Sequence, residues 1–379
     1  MGRAIQLGKI FGIPFRLDYS WFLIFIFITV LLSSSYFPDF AKENDYSWSP
    51  AAYWILGLIT SLLFFASVLT HELAHSVVGI RSGIPVKSIT LFFFGGVAHI
   101  GKEASRPTTE LKMAAAGPLS SMALAALFYG LFLLSNGFNI EYLAALTWWL
   151  AMINGILAIF NMIPGFPLDG GRVLRSIVWL ATGNYMRATR IATMAGYGVS
   201  YLFILGGIFM LFFLRGGWFN GLWFIFIGFF LNSAVRTTYR QSTLRDSLKG
   251  FTAQDVMTRD LPSVPRNITI RELVQRQLFA TSSQCFMVSD GEMVQGLLTL
   301  HQIKDVPKEY WDITTTGQAM TPVENLKMVR PGDDAISVLE RMDEENLNQV
   351  TVVREGRIIG MVLRDNLIRF TQRLRELKA

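Results

Sequence analysis

A short stretch, THELAH at residues 70–75, places two histidines and a glutamate beside a long apolar run. In a helix His71 and His75 lie on one face, one turn apart, and two imidazoles at that spacing can bind one zinc ion. Glu72 would then lie beside the water that a catalytic zinc binds. The alternative is that both histidines bind only backbone or lipid groups at a membrane interface. Each charged group at membrane depth costs about 2.5–3.5 kcal/mol, and a divalent ion offsets that cost, which favours the metal site.

A catalytic zinc usually has three protein ligands, and Asp169 is a candidate for the third. Asp169 follows the stretch 142–168, which contains no Asp, Glu, Lys or Arg. The prolines and glycines of NMIPGFPLDGGR (161–172) are expected to end a helix there. Irregular backbone at membrane depth is tolerated where protein or water covers it, so this segment suits the presentation of a carboxylate to a metal. A helix-capping role for Asp169 is the alternative.

Two amides, Asn154 and Asn161, are seven residues apart and share one face of an apolar helix. Hydrogen bonding between helices is a common use of Asn in membranes and is favoured for Asn154. For Asn161 that use and hydrogen bonding to a substrate backbone or oxyanion are both open. Gly117 and Pro118 predict close helix packing rather than direct catalysis. His99 could reach the site, but we interpret it as a histidine without a catalytic role.

The composition predicts a membrane protein. Hydrophobic residues make up 51% and charged residues 16% of the 379-residue chain, which is too apolar for an ordinary soluble enzyme. The single cysteine, Cys285, excludes an internal disulfide. The net charge of +6 comes largely from residues that flank apolar segments, which favours anionic lipid over nucleic acid as the partner. Six windows without Asp, Glu, Lys or Arg predict six transmembrane helices: 19–38, 46–71, 113–140, 142–168, 191–214 and 216–235.

Basic residues predict the orientation of these helices. The N-terminal segment and the loops after the second and fourth predicted helices carry twelve Lys and Arg residues, whereas the opposite loops carry only Lys42 and Arg215. Such an asymmetry places both termini in the cytosol, for a multi-pass protein of the cell membrane. The first twenty residues show no cleavable signal pattern, and none is expected.

The charged C-terminal part contains an internal repeat. AQDVMTRDLPSV (253–264) aligns with TGQAMTPVENLKMV (316–329), and VQGLLTL (294–300) aligns with IIGMVLR (358–364), at offsets of 63 and 64. Each copy reads as a short helix followed by strands that alternate with helices, which is typical of a soluble α/β module. We therefore predict a transmembrane domain at 1–236, a linker at 237–250 and a tandem module at 251–379, with copies at about 251–310 and 314–372.

Three motifs resemble the site-2 protease family of intramembrane zinc metalloproteases. HELAH (71–75), AAAGPLSS (114–121) and NMIPGFPLDGG (161–171) match the family in order and spacing, and the resemblance covers residues 5–235. The tail resembles a tandem CBS-domain pair. The resemblance implies that one Zn²⁺ ion is bound by His71, His75 and Asp169. It also implies that Glu72 is the general base and that Asn161 contacts the substrate or an intermediate.

Together with the charge-free windows and the repeat, the resemblance predicts a polytopic α-helical membrane protein with six transmembrane helices and small membrane-associated β segments, joined to a soluble α/β CBS module. The β segments would lie at 5–18 and 81–102. Beside the second of these, unwound substrate can add as a strand, although a purely structural hairpin is the alternative. The implied substrate is a membrane-anchored protein whose cleavage frees a cytosolic regulatory fragment.

The tail departs from the nucleotide-binding pattern of CBS domains, which often ends in G-x-x-[ST]-x-x-D. Gln302 replaces the aspartate in the first copy and Asn366 replaces it in the second. Nucleotide binding is therefore not expected. The CBS pair would instead form a homodimer contact or dock the substrate. An alternative function is a CBS-regulated divalent-metal transporter or channel. In that case an ion path would be lined by His71, Glu72, His75 and Asp169. The six predicted helices show no evident repeat, which argues against a transporter.

Overall fold

The structure is a computed structural model. It describes residues 4–93, 95–101, 104–214, 217–259, 261–278, 285–291, 293–345 and 347–378. Contacts divide the chain into two compact units, Met1–Gln241 and Ser242–Ala379.

Six helices are long and apolar enough to cross a membrane in the part of the chain that the structure describes, which confirms the predicted number. The first combines α1 (Tyr19–Leu31), a π-helical turn (Leu32–Tyr36) and α2 (Phe37–Glu43). The others are α3 (Pro50–Arg81), α4 (Pro107–Gly137), α5 (Glu141–Asn161), α7 (Tyr185–Phe213) and α8 (Trp218–Leu248). A shorter helix, α6 (Asp169–Thr182), lies between α5 and α7.

Helix ends follow ordinary capping rules. Ser49 accepts a hydrogen bond from the backbone N–H of Ala52, and Pro50 fills the first position of α3, where no intrahelical donor is needed. Gly183 ends α6 in the left-handed conformation, with φ 65°. Helix α8 differs from expectation in length, since it continues to Leu248 through most of the predicted linker 237–250. The charged residues after Arg236 end the apolar pattern but do not end the helix.

A four-stranded sheet accompanies the helices of the first unit. Its strands are β1 (Ala4–Ile10), β2 (Ile13–Asp18), β3 (Val86–Phe92) and β4 (Gly95–Ile100). The order is β1-β2-β3-β4, with two antiparallel hairpins joined by the parallel pair β2–β3. The two predicted β segments therefore form one sheet, and β4 is one of its edges.

The second unit contains two similar halves, as the sequence repeat predicts. The first half contains α9 (Ala253–Val256), β5 (Ser263–Pro265), α10 (Ile270–Leu273), β6 (Cys285–Asp290), β7 (Met293–Thr299) and α11 (Leu300–Asp305). The second half contains α12 (Thr316–Ala319), β8 (Thr321–Pro322), β9 (Met328–Val329), α13 (Ala335–Glu344), β10 (Gln349–Arg354), β11 (Arg357–Leu363) and α14 (Arg364–Lys378). The sheets have the orders β5-β6-β7-β8 and β11-β10-β9.

The two halves exchange backbone contacts at their aligned glycines. A Cβ at Gly296 would lie 2.4 Å from the carbonyl oxygen of Thr321, and a Cβ at Gly360 would lie 2.8 Å from that of Thr258. Each glycine therefore lets the segment after the first helix of one half lie against the sheet of the other. The repeat in the sequence corresponds to this reciprocal packing.

Candidate metal centre and active-site cavity

Three donor side chains converge inside the first unit. The Nε2 atoms of His71 and His75 lie 3.1 and 3.0 Å from Oδ2 of Asp169, and 3.2 Å from each other. One donor atom from each of the three residues lies within 4.8 Å of the others. Two imidazole nitrogens and a carboxylate oxygen form a donor set that zinc accepts, so the residues present fit this metal.

Helix α4 contacts Nδ1 of both imidazoles, on the side away from Asp169. Nδ1 of His71 lies 2.9 Å from Oγ of Ser121, and Nδ1 of His75 lies 2.6 Å from the carbonyl oxygen of Met113. Both histidines are buried, each with 4% of its surface exposed. Contacts of this kind at one ring nitrogen fix the ring and direct the other nitrogen to a metal.

Gly117 provides the space for the two rings. A Cβ at this position would lie 2.1 Å from Nε2 of His75 and 2.6 Å from Nε2 of His71, closer than real side-chain contacts allow. The sequence predicts close helix packing at this glycine. The structure shows that the group packed against it is the imidazole pair itself.

Asp169 reaches the histidines from the start of α6. The chain between α5 and α6 turns at residues 162–168, and the peptide bond between Phe166 and Pro167 is cis. Leu168 is the N-cap of α6 and makes no side-chain capping bond, while the carboxylate of Asp169 contacts the imidazoles. The contacts of this carboxylate thus differ from those of a helix-capping aspartate.

A cavity of about 660 Å³ adjoins the three donors. Glu72, Asn161 and Arg172 contribute its polar lining, and strand β4 forms part of its wall. A Cβ at Gly96 of β4 would lie 2.4 Å from Cγ of Glu72, so the strand approaches this side chain directly. Most of the remaining lining is apolar, with contributions from α1, α3, α5 and α8. An apolar cavity with a few polar groups at one end suits a peptide segment with apolar side chains.

The remaining sequence candidates differ in their contacts. The Nδ2 atom of Asn154 lies 3.3 Å from Oγ of Ser67 on α3, a hydrogen bond between helices of the kind predicted for it. Asn161 lines the cavity, and its Nδ2 lies 3.1 Å from the carbonyl oxygen of Leu157. His99 lies on β4 opposite Ser88 and is absent from the described cavity lining.

Burial lowers the pKa of His99, and the positive charges of Arg16 and Lys87 lower it further. This histidine is therefore neutral near pH 7, because its ordinary pKa is already about 6.5.

The second unit contains a cleft of about 590 Å³ lined by both halves. Gln302 contributes to it and donates a hydrogen bond to Oγ1 of Thr321 in the other half. Asn366 donates in the same way to Oγ1 of Thr258. The two residues that replace the nucleotide-binding aspartates therefore join the halves to each other.

Several supporting residues were not identified from the sequence alone. Ser121 and Met113 hold the imidazoles, and the buried pair Glu110 and Arg175 joins α4 to α6. One signal was available for part of this set, since Glu110, Met113, Gly117 and Ser121 follow helical spacing on one face of α4. The partner of that face cannot be read from spacing alone.

Comparison with known proteins gives matches over both units. The model of peptidase family M50 matches residues 59–145 and 138–205, and the CBS domain model matches residues 253–309 and 317–373. A protein of Synechocystis that carries a zinc metalloprotease name is 37% identical over 98% of this chain and 96% of its own length. The Mycobacterium tuberculosis protein Rip3, which also carries that name, is 32% identical over 97% of this chain and 93% of its own.

Among solved structures, the site-2 protease from Methanocaldococcus jannaschii is 27% identical to this chain. The match covers 62% of this chain and 95% of that one, with a TM-score of 0.42.

Proposed function

Because the chain belongs to peptidase family M50, the site-2 protease family of zinc metalloproteases, and ends in a pair of CBS domains, we propose that His71, His75 and Asp169 bind its zinc ion and that Glu72 is its general base. The observation that carries this assignment is the approach of three donor atoms from α3 and α6 to within 4.8 Å of one another. Such a donor set leaves room for a further ligand, as catalytic zinc sites require.

The chain's own residues then have distinct tasks. A bound zinc supplies Lewis acidity, which favours ionisation of water and polarises a peptide carbonyl. Glu72, which faces the same cavity, accepts a proton from water and returns it to the nitrogen of the leaving chain. The side-chain amide of Asn161 has two N–H donors, and one is used by Leu157. The other can donate to a substrate carbonyl or to the oxyanion.

The substrate is an unwound part of a transmembrane segment in a membrane-anchored protein. Two features support this choice, the mainly apolar cavity and the position of β4 as a sheet edge in its wall. A helix must open before its peptide bonds can be attacked, and pairing with an edge strand satisfies the exposed backbone groups.

Cleavage on the side of the positive loops would release a cytosolic fragment. Twelve basic residues in the N-terminal segment and those loops, against two in the opposite loops, support cytosolic termini in the cell membrane. We also propose the domain limits 1–236, 237–250 and 251–379 given by the sequence. The bonds of Gln302 and Asn366 between the halves occupy the positions of the nucleotide-binding aspartates, which argues against nucleotide binding. We propose that the CBS pair instead docks the substrate or a second copy of this chain.

The direct test is co-expression with single-span membrane proteins, with the wild type and Glu72→Gln compared in parallel. We expect a cleaved fragment with the wild type only, because loss of a general base lowers the rate by about 10²–10⁴-fold. The purified Glu72→Gln protein should still bind zinc, since the three ligands are intact. A Glu72→Gln protein that cleaves as fast as the wild type, or metal flux through the wild type in vesicles without cleavage, would refute the assignment.

A further inference from the structure

We propose that Glu110, Arg175 and Tyr185 form a clamp that positions Asp169 for metal binding, so that these residues set the affinity for zinc. This inference rests on the proposed zinc site and concerns residues that do not touch the metal. They are therefore positioning residues.

The clamp joins three helices through one guanidinium group. Nε of Arg175 on α6 lies 2.7 Å from Oε1 of Glu110 on α4, and a second nitrogen of the same guanidinium also contacts that oxygen. A third nitrogen, Nη1, donates to the hydroxyl of Tyr185 on α7 at 2.7 Å. The guanidinium carbon lies 5.0 Å from the ring centre of Phe166 and 4.9 Å from that of Tyr185. A planar group held on both its edge and its faces has little freedom to move.

Burial makes these contacts strong. Glu110 is 1% exposed and Arg175 is 7% exposed, so water cannot replace either partner. A charged pair of this kind is strongly disrupted when one partner is removed, because the other charge is left buried without compensation. The clamp therefore fixes the separation of α4 and α6 at this level.

The face of α4 that carries Glu110 also carries three residues that contact the imidazoles. Glu110, Met113, Gly117 and Ser121 occur at intervals of three, four and four residues, and all four are buried. Met113 and Ser121 hold the two histidines, and Gly117 leaves space for their rings. A shift of Glu110 along this face would therefore also shift the supports of both imidazoles.

Helix α6 connects the clamp to the third donor. Asp169 and Arg175 are the first and seventh residues of α6, which corresponds to a separation of about 9 Å along the helix axis. A rigid helix of this length transmits the position of Arg175 to Asp169. The clamp thus controls where the carboxylate of α6 lies relative to the imidazoles of α3.

The test uses the purified full chain in detergent micelles, with Arg175→Gln, Arg175→Lys, Glu110→Gln and Tyr185→Phe. Zinc affinity is measured by competition with a chelator. We expect Arg175→Gln and Glu110→Gln to bind zinc about 10–100-fold more weakly, the usual cost of losing an outer contact of a metal site. Arg175→Lys keeps the positive charge but lacks the paired N–H donors of the guanidinium group, so it should recover part of the lost zinc affinity. Tyr185→Phe removes one hydrogen bond of the guanidinium group. If the other variants fail to fold, the zinc affinity of Tyr185→Phe tests the clamp instead.

Replacement of zinc by cobalt allows the metal coordination to be followed by visible absorption. A residue that only stabilises the fold would not change this spectrum. If the clamp positions Asp169, the visible absorption band of the cobalt-loaded Arg175→Gln protein should differ from that of the wild type. A matched control is Glu141→Ala, which removes the acceptor of the 2.8 Å hydrogen bond from Trp48 Nε1 at the start of α5. This variant should lower the Tm without a change in zinc affinity.

The outcomes separate two failures. A wild type that binds no zinc would refute the proposed function and this inference with it. A wild type that binds zinc, with clamp variants that keep its zinc affinity and cobalt spectrum and lose equal Tm with and without metal, would refute the clamp alone.

Discussion

The two units use partly or fully buried polar side chains in opposite ways. In the first unit the donor atoms of His71, His75 and Asp169 lie within 4.8 Å of one another, where the proposed zinc ion would stabilise them together. In the second unit Gln302 and Asn366 each donate to a threonine of the other half. Buried polar groups need partners in both units. Under the proposed function the first unit leaves one of those partners to a metal, whereas the second supplies them within the chain. This difference would separate a reactive centre from a structural contact.

The largest effect should come from His75→Ala. This change removes one donor of three and frees the carbonyl of Met113. We expect zinc binding to fall below one ion per chain and cleavage to be lost. Metal content by mass spectrometry and the fragment assay measure the two effects. Full zinc content with normal cleavage would show that the convergence of the three side chains has no metal function.

A smaller effect on zinc affinity and cleavage is expected from Gly117→Ala. The new methyl group would overlap both imidazole rings, and such overpacking costs about 1–3 kcal/mol. Zinc affinity and cleavage should both fall. The matched control is Gly130→Ala on the same helix, where a Cβ meets no atom within 4 Å. This control should keep full activity and gain about 0.5–1 kcal/mol of stability, and equal behaviour of the two variants would contradict the packing at Gly117.

In the second unit, Gln302→Ala and Asn366→Ala should have moderate and similar effects. Each removes a hydrogen bond between the halves, with an expected loss of about 0.5–1.5 kcal/mol. Chemical denaturation followed by intrinsic fluorescence measures the change. Zinc content should remain that of the wild type. A variant that loses zinc while its free energy of unfolding stays near that of the wild type would show that metal binding in the first unit depends on these bonds in the second.

The smallest expected effect is that of metal removal on Cys285. Burial raises the pKa of this thiol to about 12. At pH 8 its thiolate fraction is then on the order of 1,000-fold lower than that of an exposed thiol with a pKa of about 8.5. Because the folded-state pKa is raised, the thiol stays protonated at neutral pH and ionises only as the pH rises toward this value. Alkylation should be slow with or without a zinc chelator, and rapid alkylation after chelation would show that the second unit depends on the metal.

Local patterns in the sequence predicted the spans, the repeat and the donor residues. The pairs at the site are separated by 98 residues for His71 and Asp169 and by 65 for Glu110 and Arg175. The first pair was predictable because H-E-x-x-H and the motif around Asp169 match a known family. The second was not, because helical spacing shows that Glu110 lies on a buried face but not which helix covers it. The parallel pairing of β2 with β3 was unpredictable for the same reason.

The missing side chain at Gly96 has a consequence for the supply of protons. Strand β4 lies against Glu72 at this position, since a Cβ there would lie 2.4 Å from Cγ of the glutamate. No side chain at position 96 can hydrogen bond to this carboxylate or relay a proton to it. Under the proposed function, Glu72 would therefore exchange protons on the side that faces the cavity, which Asn161 and Arg172 also line.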